Sequence, residues 1–223
     1  MELVQDVRVT SLREQVLQHV RSQIMSGRVP AGAVYSVPSL AADLKVSTTT
    51  VREALLILCG NGLLKAMPNR GFRVEGMNQK QLDDLFTMRE LIERFGMETL
   101  ARQGVDNVDH LLALADDVTD AVKRRNISDY IETDHIYHRA LFDAVGNPLL
   151  TKTAMHMRED MRLYGIDSPE GWQRQLDSVQ EHYDLIALAQ SNSVAAMGRL
   201  TTKHILAWKP LFKAALSAPA AAL

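Results

Sequence analysis

The sequence predicts a mainly α protein with an N-terminal winged helix-turn-helix and a C-terminal all-α helical bundle. Two observations support this fold class. Residues 1–76 contain three helical segments followed by two short strands, and residues 77–217 keep a helical periodicity with only short breaks. A chain of 223 residues is long enough for two modest domains. The Ala/Pro tail, residues 218–223, is expected to be disordered.

The N-terminal elements are marked by capping and turn residues. Helices are predicted over 11–26, 36–44 and 47–60, each with Ser at its first position as the candidate N-cap; Thr10 is the alternative cap for the first. Two strands, 63–67 and 72–75, flank the turn Pro68-Asn69-Arg70-Gly71 and predict a hairpin. Three helices followed by a hairpin are the element order of a winged helix-turn-helix.

The rest of the chain predicts six helices, with a domain boundary at residues 76–79. Their expected spans are about 79–104, 107–125, 129–145, 148–166, 172–190 and 193–216. The breaks between these spans contain Gly, Asn, Ser or Pro, which end helices. This pattern is typical of a helical bundle.

Charge is distributed unevenly along the chain. The net charge is -2, but residues 1–75 hold nine Lys/Arg against six Asp/Glu, while the remainder holds sixteen against twenty-one. The N-terminal part is therefore the one suited to phosphate. The single Cys59 lies in an apolar run, and no segment resembles a signal peptide or reaches roughly 18 uninterrupted apolar residues. These features predict a cytoplasmic protein with no membrane partner.

The start of the third helix has side chains suited to DNA. Residues 47–50, Ser-Thr-Thr-Thr, place hydroxyl groups at a helix N-terminus, where backbone N–H groups and the helix dipole favour a phosphate. Arg52, one turn further, can reach a phosphate or a guanine edge, and Arg70 and Gly71 lie at the hairpin tip. Taken alone, the same run is more typical of a plain N-cap, with Arg52 paired to a surface carboxylate.

Spaced matches from Ser36 to Val74 resemble the winged helix of GntR-family regulators. They include Leu40-Ala41, Val46-Ser47, Val51-Arg52-Glu53-Ala54-Leu55, Gly62-Leu63 and Gly71-Phe72. Thr48, Thr50 and Val37 stand where that family usually has Arg, Pro and Glu. An Arg at position 48 would supply a guanine contact worth roughly 1–3 kcal/mol of discrimination, so the operator sequence does not follow from the resemblance.

The resemblance implies a transcription regulator, most commonly a repressor, that binds double-stranded operator DNA as a homodimer. The residues predicted to contact DNA are Ser36, Ser47, Thr48, Thr49, Thr50, Arg52, Arg70 and Gly71. No catalytic residue is predicted.

Ionisable residues fall on helix faces of the second domain that should be apolar: Asp134 and His138 one turn apart, His182, and His204. The stripes that contain them also include Ile131, Leu141, Val145, Leu176, Val179, Ile186, Met197, Trp208 and Leu211. Each histidine alone is more typical of a hydrogen-bonded residue, but burying all four groups without partners would cost several kcal/mol. A divalent cation removes that cost. One oxygen and three nitrogens suit zinc best, and also nickel, iron or manganese.

The same four residues resemble the metal motif of the FCD domain, the helical sensor of the FadR-like branch of GntR regulators. The resemblance implies a small organic acid as effector, because a metal with four protein ligands retains positions for a carboxylate. Arg89, which with Glu93 matches the first-helix signature, and Arg162 are the candidate partners of that carboxylate. The alternative for Arg89 is a surface i,i+4 pair with Glu93.

Two other functions stay open on the sequence. A metal-dependent hydrolase would use the ion to activate water, but no helix contains H-E-x-x-H and no general base is evident beside the predicted ligands. An architectural DNA-binding protein with a purely structural metal is the other alternative.

Overall fold

The computed structural model describes residues 11–161, 163 and 165–217, and it divides into two compact units, 1–76 and 77–223. The first contains a helix-turn-helix with a small sheet, and the second is a bundle of helices. This confirms the predicted fold class. Thr10, Arg162 and the predicted tail 218–223 lie outside the described residues. In the described part of the chain, no helix is long and apolar enough to cross a membrane.

The first unit contains three helices and three strands. In chain order these are α1 (Leu12–Met25), β1 (Val34–Tyr35), α2 (Val37–Leu44), α3 (Thr48–Gly60), β2 (Leu64–Met67) and β3 (Gly71–Val74). Each helix begins after a serine, as predicted. The Oγ atoms of Ser11, Ser36 and Ser47 accept hydrogen bonds from the backbone N–H three residues later, at 3.2, 3.5 and 3.1 Å.

The sheet has one strand more than the predicted hairpin. Its order is β1-β3-β2, with both pairs antiparallel, and Phe72 lies opposite Tyr35 on one side and Ala66 on the other. A strand of two residues is too short to show the alternation of apolar and polar residues that predicts strands. β1 forms because β3 offers it a free edge for backbone hydrogen bonds. Gly71 has φ +106°, and a Cβ there would clash with the Tyr35 carbonyl oxygen. This position therefore requires glycine.

The second unit contains seven helices in its described residues. They are α4 (Gln79–Gln103), α5 (Val108–Lys123), α6 (Ile127–Ala144), α7 (Pro148–Glu159), α8 (Pro169–Gln190), α9 (Val194–Leu206) and α10 (Lys209–Ser217). The long α4 is central, since it packs against α6, α7, α8, α9 and α10. The inner faces of these five helices therefore meet around α4.

Two of the six predicted helices were wrong in extent. The predicted helix 148–166 ends at Glu159, and Met161 and Ile166 are both 1% exposed. In a continuous helix these two residues would lie about 140° apart around the axis, since each residue turns about 100°. Because α7 ends before them, both residues enter the core.

The predicted helix 193–216 is divided into α9 and α10. Pro210 has no N–H to donate, and in a continuous helix its ring would clash with the carbonyl of Leu206, which is the last residue of α9. As a result Phe212, rather than the predicted Leu211, occupies the buried position after Trp208.

Candidate metal centre

Three buried imidazoles converge from three helices of the bundle. His138 on α6, His182 on α8 and His204 on α9 have candidate ligand nitrogens that all lie within 4.8 Å of one another. Their ring centroids are separated by 5.1–5.3 Å. The predicted histidines are thus brought together at one point.

Asp134 lies one turn before His138 and approaches two of the three histidines, His138 and His182. Its Oδ1 is 3.5 Å from Nε2 of His138 and 3.4 Å from Nε2 of His182. An aspartate and a histidine at i and i+4 share one helix face, which explains why both side chains point inward. One carboxylate oxygen and two imidazole nitrogens therefore face each other directly, with His204 beside them.

The hydrogen bonding of these histidines is incomplete. Nε2 of His138 and both ring nitrogens of His182 are buried, and they have no hydrogen-bond partner among the described residues. Buried polar atoms are nearly always satisfied in folded proteins, so unsatisfied nitrogens on two neighbouring rings need an explanation. Imidazole and carboxylate donors are those that zinc and other divalent transition metals prefer. The residues present fit such an ion.

Burial also sets the protonation of the cluster. It lowers the pKa of His138 well below the ordinary value, and that of His204 to about 4. Burial would raise the pKa of Asp134, but His138 and Arg158 outweigh it and hold that pKa well below its usual range. At neutral pH, the aspartate is therefore ionised and both of these imidazoles keep a lone pair, which a metal ligand requires.

A chain of ion pairs between α4, α6 and α7 holds the Asp134 carboxylate in place. Arg158 on α7 donates from Nη2 to Oδ2 of Asp134 at 2.8 Å and from Nη1 to Oε2 of Glu93 at 2.9 Å. Arg89 donates from Nε to the other oxygen of Glu93 at 2.6 Å. Since Arg158 occupies Oδ2, Oδ1 is left to face the histidines.

This network corrects the sequence analysis in two respects. Arg89 does pair with Glu93, but their side chains are 7% and 2% exposed, so the alternative of a surface pair was wrong. Arg158 was missed. It follows the buried Ala154 and Met155 by four and three residues, and this helical spacing could have placed it on the inner face of α7.

A second carboxylate, Glu181, lies behind His204. Its Oε2 is 2.8 Å from Nδ1 of His204, and Arg174 pairs with both of its oxygens. The predicted stripe of α8 was displaced, because Leu176 and Val179 are only partly buried whereas Arg174, Ser178 and Glu181 are buried. Hydropathy alone does not identify these polar and charged residues as inward-facing.

The residues predicted to contact DNA lie in the first unit. Thr48, Thr49, Arg52, Arg70 and Ser36 are exposed, while Gly71 and Thr50 are partly buried. The Ser47 hydroxyl caps α3. It accepts a hydrogen bond from the Thr50 N–H and lies 2.8 Å from the Thr50 hydroxyl. The free side chains at the start of α3 are therefore those of Thr48, Thr49 and Arg52.

Comparison with known proteins assigns both parts of the chain. The model of the gntR family of bacterial regulatory proteins matches residues 12–74, and the model of the FCD domain matches residues 84–207. The chain belongs to the GntR family and carries an FCD domain. The chain is 33% identical over 147 residues to the uncharacterised HTH-type transcriptional regulator BphR of Paraburkholderia xenovorans, a match that covers 61% of this chain and 58% of that protein.

A second relative is the gluconate operon transcriptional repressor of Bacillus licheniformis, 26% identical over 134 residues, or 60% of this chain and 55% of that protein. These alignments span little more than half the length of the relatives. Among solved structures, Escherichia coli McbR/YncC has a TM-score of 0.71 at 21% identity and covers 90% of this chain and 98% of its own. At that identity, the likeness shows the fold alone.

Proposed function

We propose that this GntR-family regulator is a homodimeric repressor that binds operator DNA through its winged helix, and that a small carboxylate at a divalent metal in the FCD domain alters its affinity for DNA. The observation that carries the sensing part is the group of three buried imidazoles, two of which, those of His138 and His182, have unsatisfied ring nitrogens. The repressor names of relatives support the direction of regulation.

Asp134, His138, His182 and His204 would hold the metal, with zinc as the first expectation and nickel, iron or manganese as the others. A bound ion would supply a Lewis acid to which a carboxylate oxygen can coordinate. Arg89 stays the proposed second partner of the effector. Because its Nε already donates to Glu93, it would have to contact the acid through its terminal nitrogens.

The test of the sensor uses an operator fragment selected in vitro with the full-length protein. Fluorescence anisotropy measures its affinity with zinc-loaded protein against a panel of mono- and dicarboxylates. At least one acid should change the dissociation constant by 5-fold or more, the usual lower range of allosteric coupling. The effect should disappear in His182→Ala. If no acid changes the affinity of the loaded protein, the sensing proposal fails.

Chelation separates a sensing metal from a purely structural one. Removing the metal should lower the melting temperature and also abolish the response to the acid, since the ligand would coordinate the ion. A drop in melting temperature with an intact acid response would instead favour the structural alternative.

The DNA-binding part is tested at Arg52, which is exposed one turn into α3. Arg52→Ala should weaken operator binding, and if the residue contacts a phosphate, the slope of log affinity against log salt should fall by about 1. Arg13→Ala, at an exposed arginine outside the predicted DNA-contacting set, is the matched control. Equal effects of both substitutions would contradict the proposed role of Arg52.

A further inference from the structure

His204 presents one ring nitrogen to a carboxylate. Its Nδ1 lies 2.8 Å from Oε2 of Glu181, which reaches across from α8 to α9. An ionised carboxylate only accepts hydrogen bonds, so Nδ1 must be the protonated nitrogen. In the neutral ring, the lone pair is then on Nε2, and the tautomer of His204 is fixed by its neighbour.

Glu181 is itself held in place. Its side chain is 5% exposed, and both oxygens pair with the Arg174 guanidinium, which lies 5.5 Å from the ring centroid of Trp208. Lys203 adds a second cation, with Nζ 3.3 Å from Oε1. Two cations keep the carboxylate ionised and limit its rotation.

The neighbouring His182 provides the contrast. Its Nδ1 is buried without a hydrogen-bond partner among the described residues, so no side chain there selects its tautomer. His204 is thus pre-oriented by a buried charge, whereas His182 is not.

We propose that Glu181 is a positioning residue of the metal centre, which fixes the tautomer and ring orientation of His204 and raises the basicity of its Nε2. This inference rests on the proposed metal site. Carboxylates that accept from the distal nitrogen of a ligating histidine typically change metal affinity 10–100-fold when removed.

The test measures the zinc dissociation constant of the full chain by competition with a chromophoric chelator. Glu181→Gln keeps the side-chain shape and removes the charge, and it should weaken zinc binding by roughly 10–100-fold. Glu98→Gln is the matched control, because Glu98 pairs with Arg94 on α4 and, in the described part of the chain, no ion pair joins it to the four ligands. It should bind zinc like the wild type.

A second measurement needs no metal, and its readout comes from the wild type. Histidine ¹⁵N–¹H NMR of the metal-free wild type, with the His204 signals assigned through His204→Gln, should show a proton on Nδ1. Wild-type zinc affinity in Glu181→Gln, or a proton on Nε2 of His204 in the wild type, would overturn the positioning role while leaving the metal centre intact. A wild-type chain that binds no divalent metal would overturn the site and this role together.

Discussion

Arg158 places one positive charge between the carboxylate of the partly buried Asp134 and that of the buried Glu93. Burial would raise the pKa of Glu93, but Arg89 and Arg158 lower it to about 2. Removing one member of such a network leaves a charge without a partner in a medium that solvates it poorly. The stability of the bundle should therefore depend strongly on this single side chain.

Arg158→Met keeps most of the volume and removes the charge. It should lower the free energy of unfolding of the metal-free chain by about 3–5 kcal/mol, measured by urea denaturation. Arg94→Met, at a half-exposed arginine paired with Glu98, is the control and should destabilise the chain much less, because exposed ion pairs contribute little. Similar losses of unfolding free energy in both variants would show that the buried network does not stabilise the bundle as expected.

The lowered pKa values of His138 and His204 predict how stability changes with pH. An unfolded histidine titrates near 6.5, whereas His204 titrates at about 4 in the fold. As pH falls below 6.5 the unfolded chain takes up protons that the folded chain does not, so stability of the metal-free protein falls until pH passes the folded value. His204 alone accounts for a loss on the order of 3 kcal/mol.

Thermal melts of chelator-treated protein between pH 7.5 and 4 measure how the stability changes with pH. Below about pH 4.5, Glu181 adds a loss of the same sign, because its pKa is lowered to about 2. Replacing His204 with Gln should flatten the profile, and replacing the half-exposed His156 with Gln should not. A melting temperature that is constant from pH 7 to 4.5 is the contrary result.

At the scale of elements, the small sheet depends on Gly71, where the left-handed backbone of β3 passes close to the Tyr35 carbonyl of β1. Gly71→Ala should destabilise the first unit by more than about 1 kcal/mol, since alanine can neither adopt this φ without strain nor fit the space. Gly60→Ala, on α3 with no described atom within 4 Å of the added Cβ, should be neutral or stabilising by up to about 1 kcal/mol. Urea midpoints compare the two variants, and an equal shift would contradict the close-contact argument.

At the scale of the whole molecule, α4 has an exposed apolar stripe. Met88, Leu91 and Phe95 are 47%, 61% and 60% exposed and recur at i, i+3 and i+7. Exposed apolar side chains on one helix face are typical of a protein contact, and a second copy of the chain is the partner that the proposed homodimer supplies.

The double substitution Leu91→Glu/Phe95→Glu should convert the homodimer to a monomer, because it buries charge in the contact. Light scattering coupled to size exclusion measures the mass. Leu149→Glu, at a 74% exposed leucine on α7 outside the stripe, should leave the dimer intact. A dimer that survives the double substitution would place its interface elsewhere.

Much of the fold follows from local rules, and for that reason the sequence predicts it. Ser11, Ser36 and Ser47 cap helices through atoms three residues away. Asp134 and His138 share a face because four residues slightly exceed one helical turn of about 3.6 residues. Interactions of this kind depend only on neighbours along the chain.

Other features depend on partners distant in sequence, and only tertiary packing reveals them. Arg158 meets Glu93 65 residues away, Glu181 meets His204 23 residues away, and β1 exists because β3 lies beside it. The sequence by itself determined the fold class and the serine-capped helices, and it predicted the four candidate ligands. The tertiary structure decided which buried charges stand behind those ligands, since the cost of burying a charge is relieved only by the helix that packs against it.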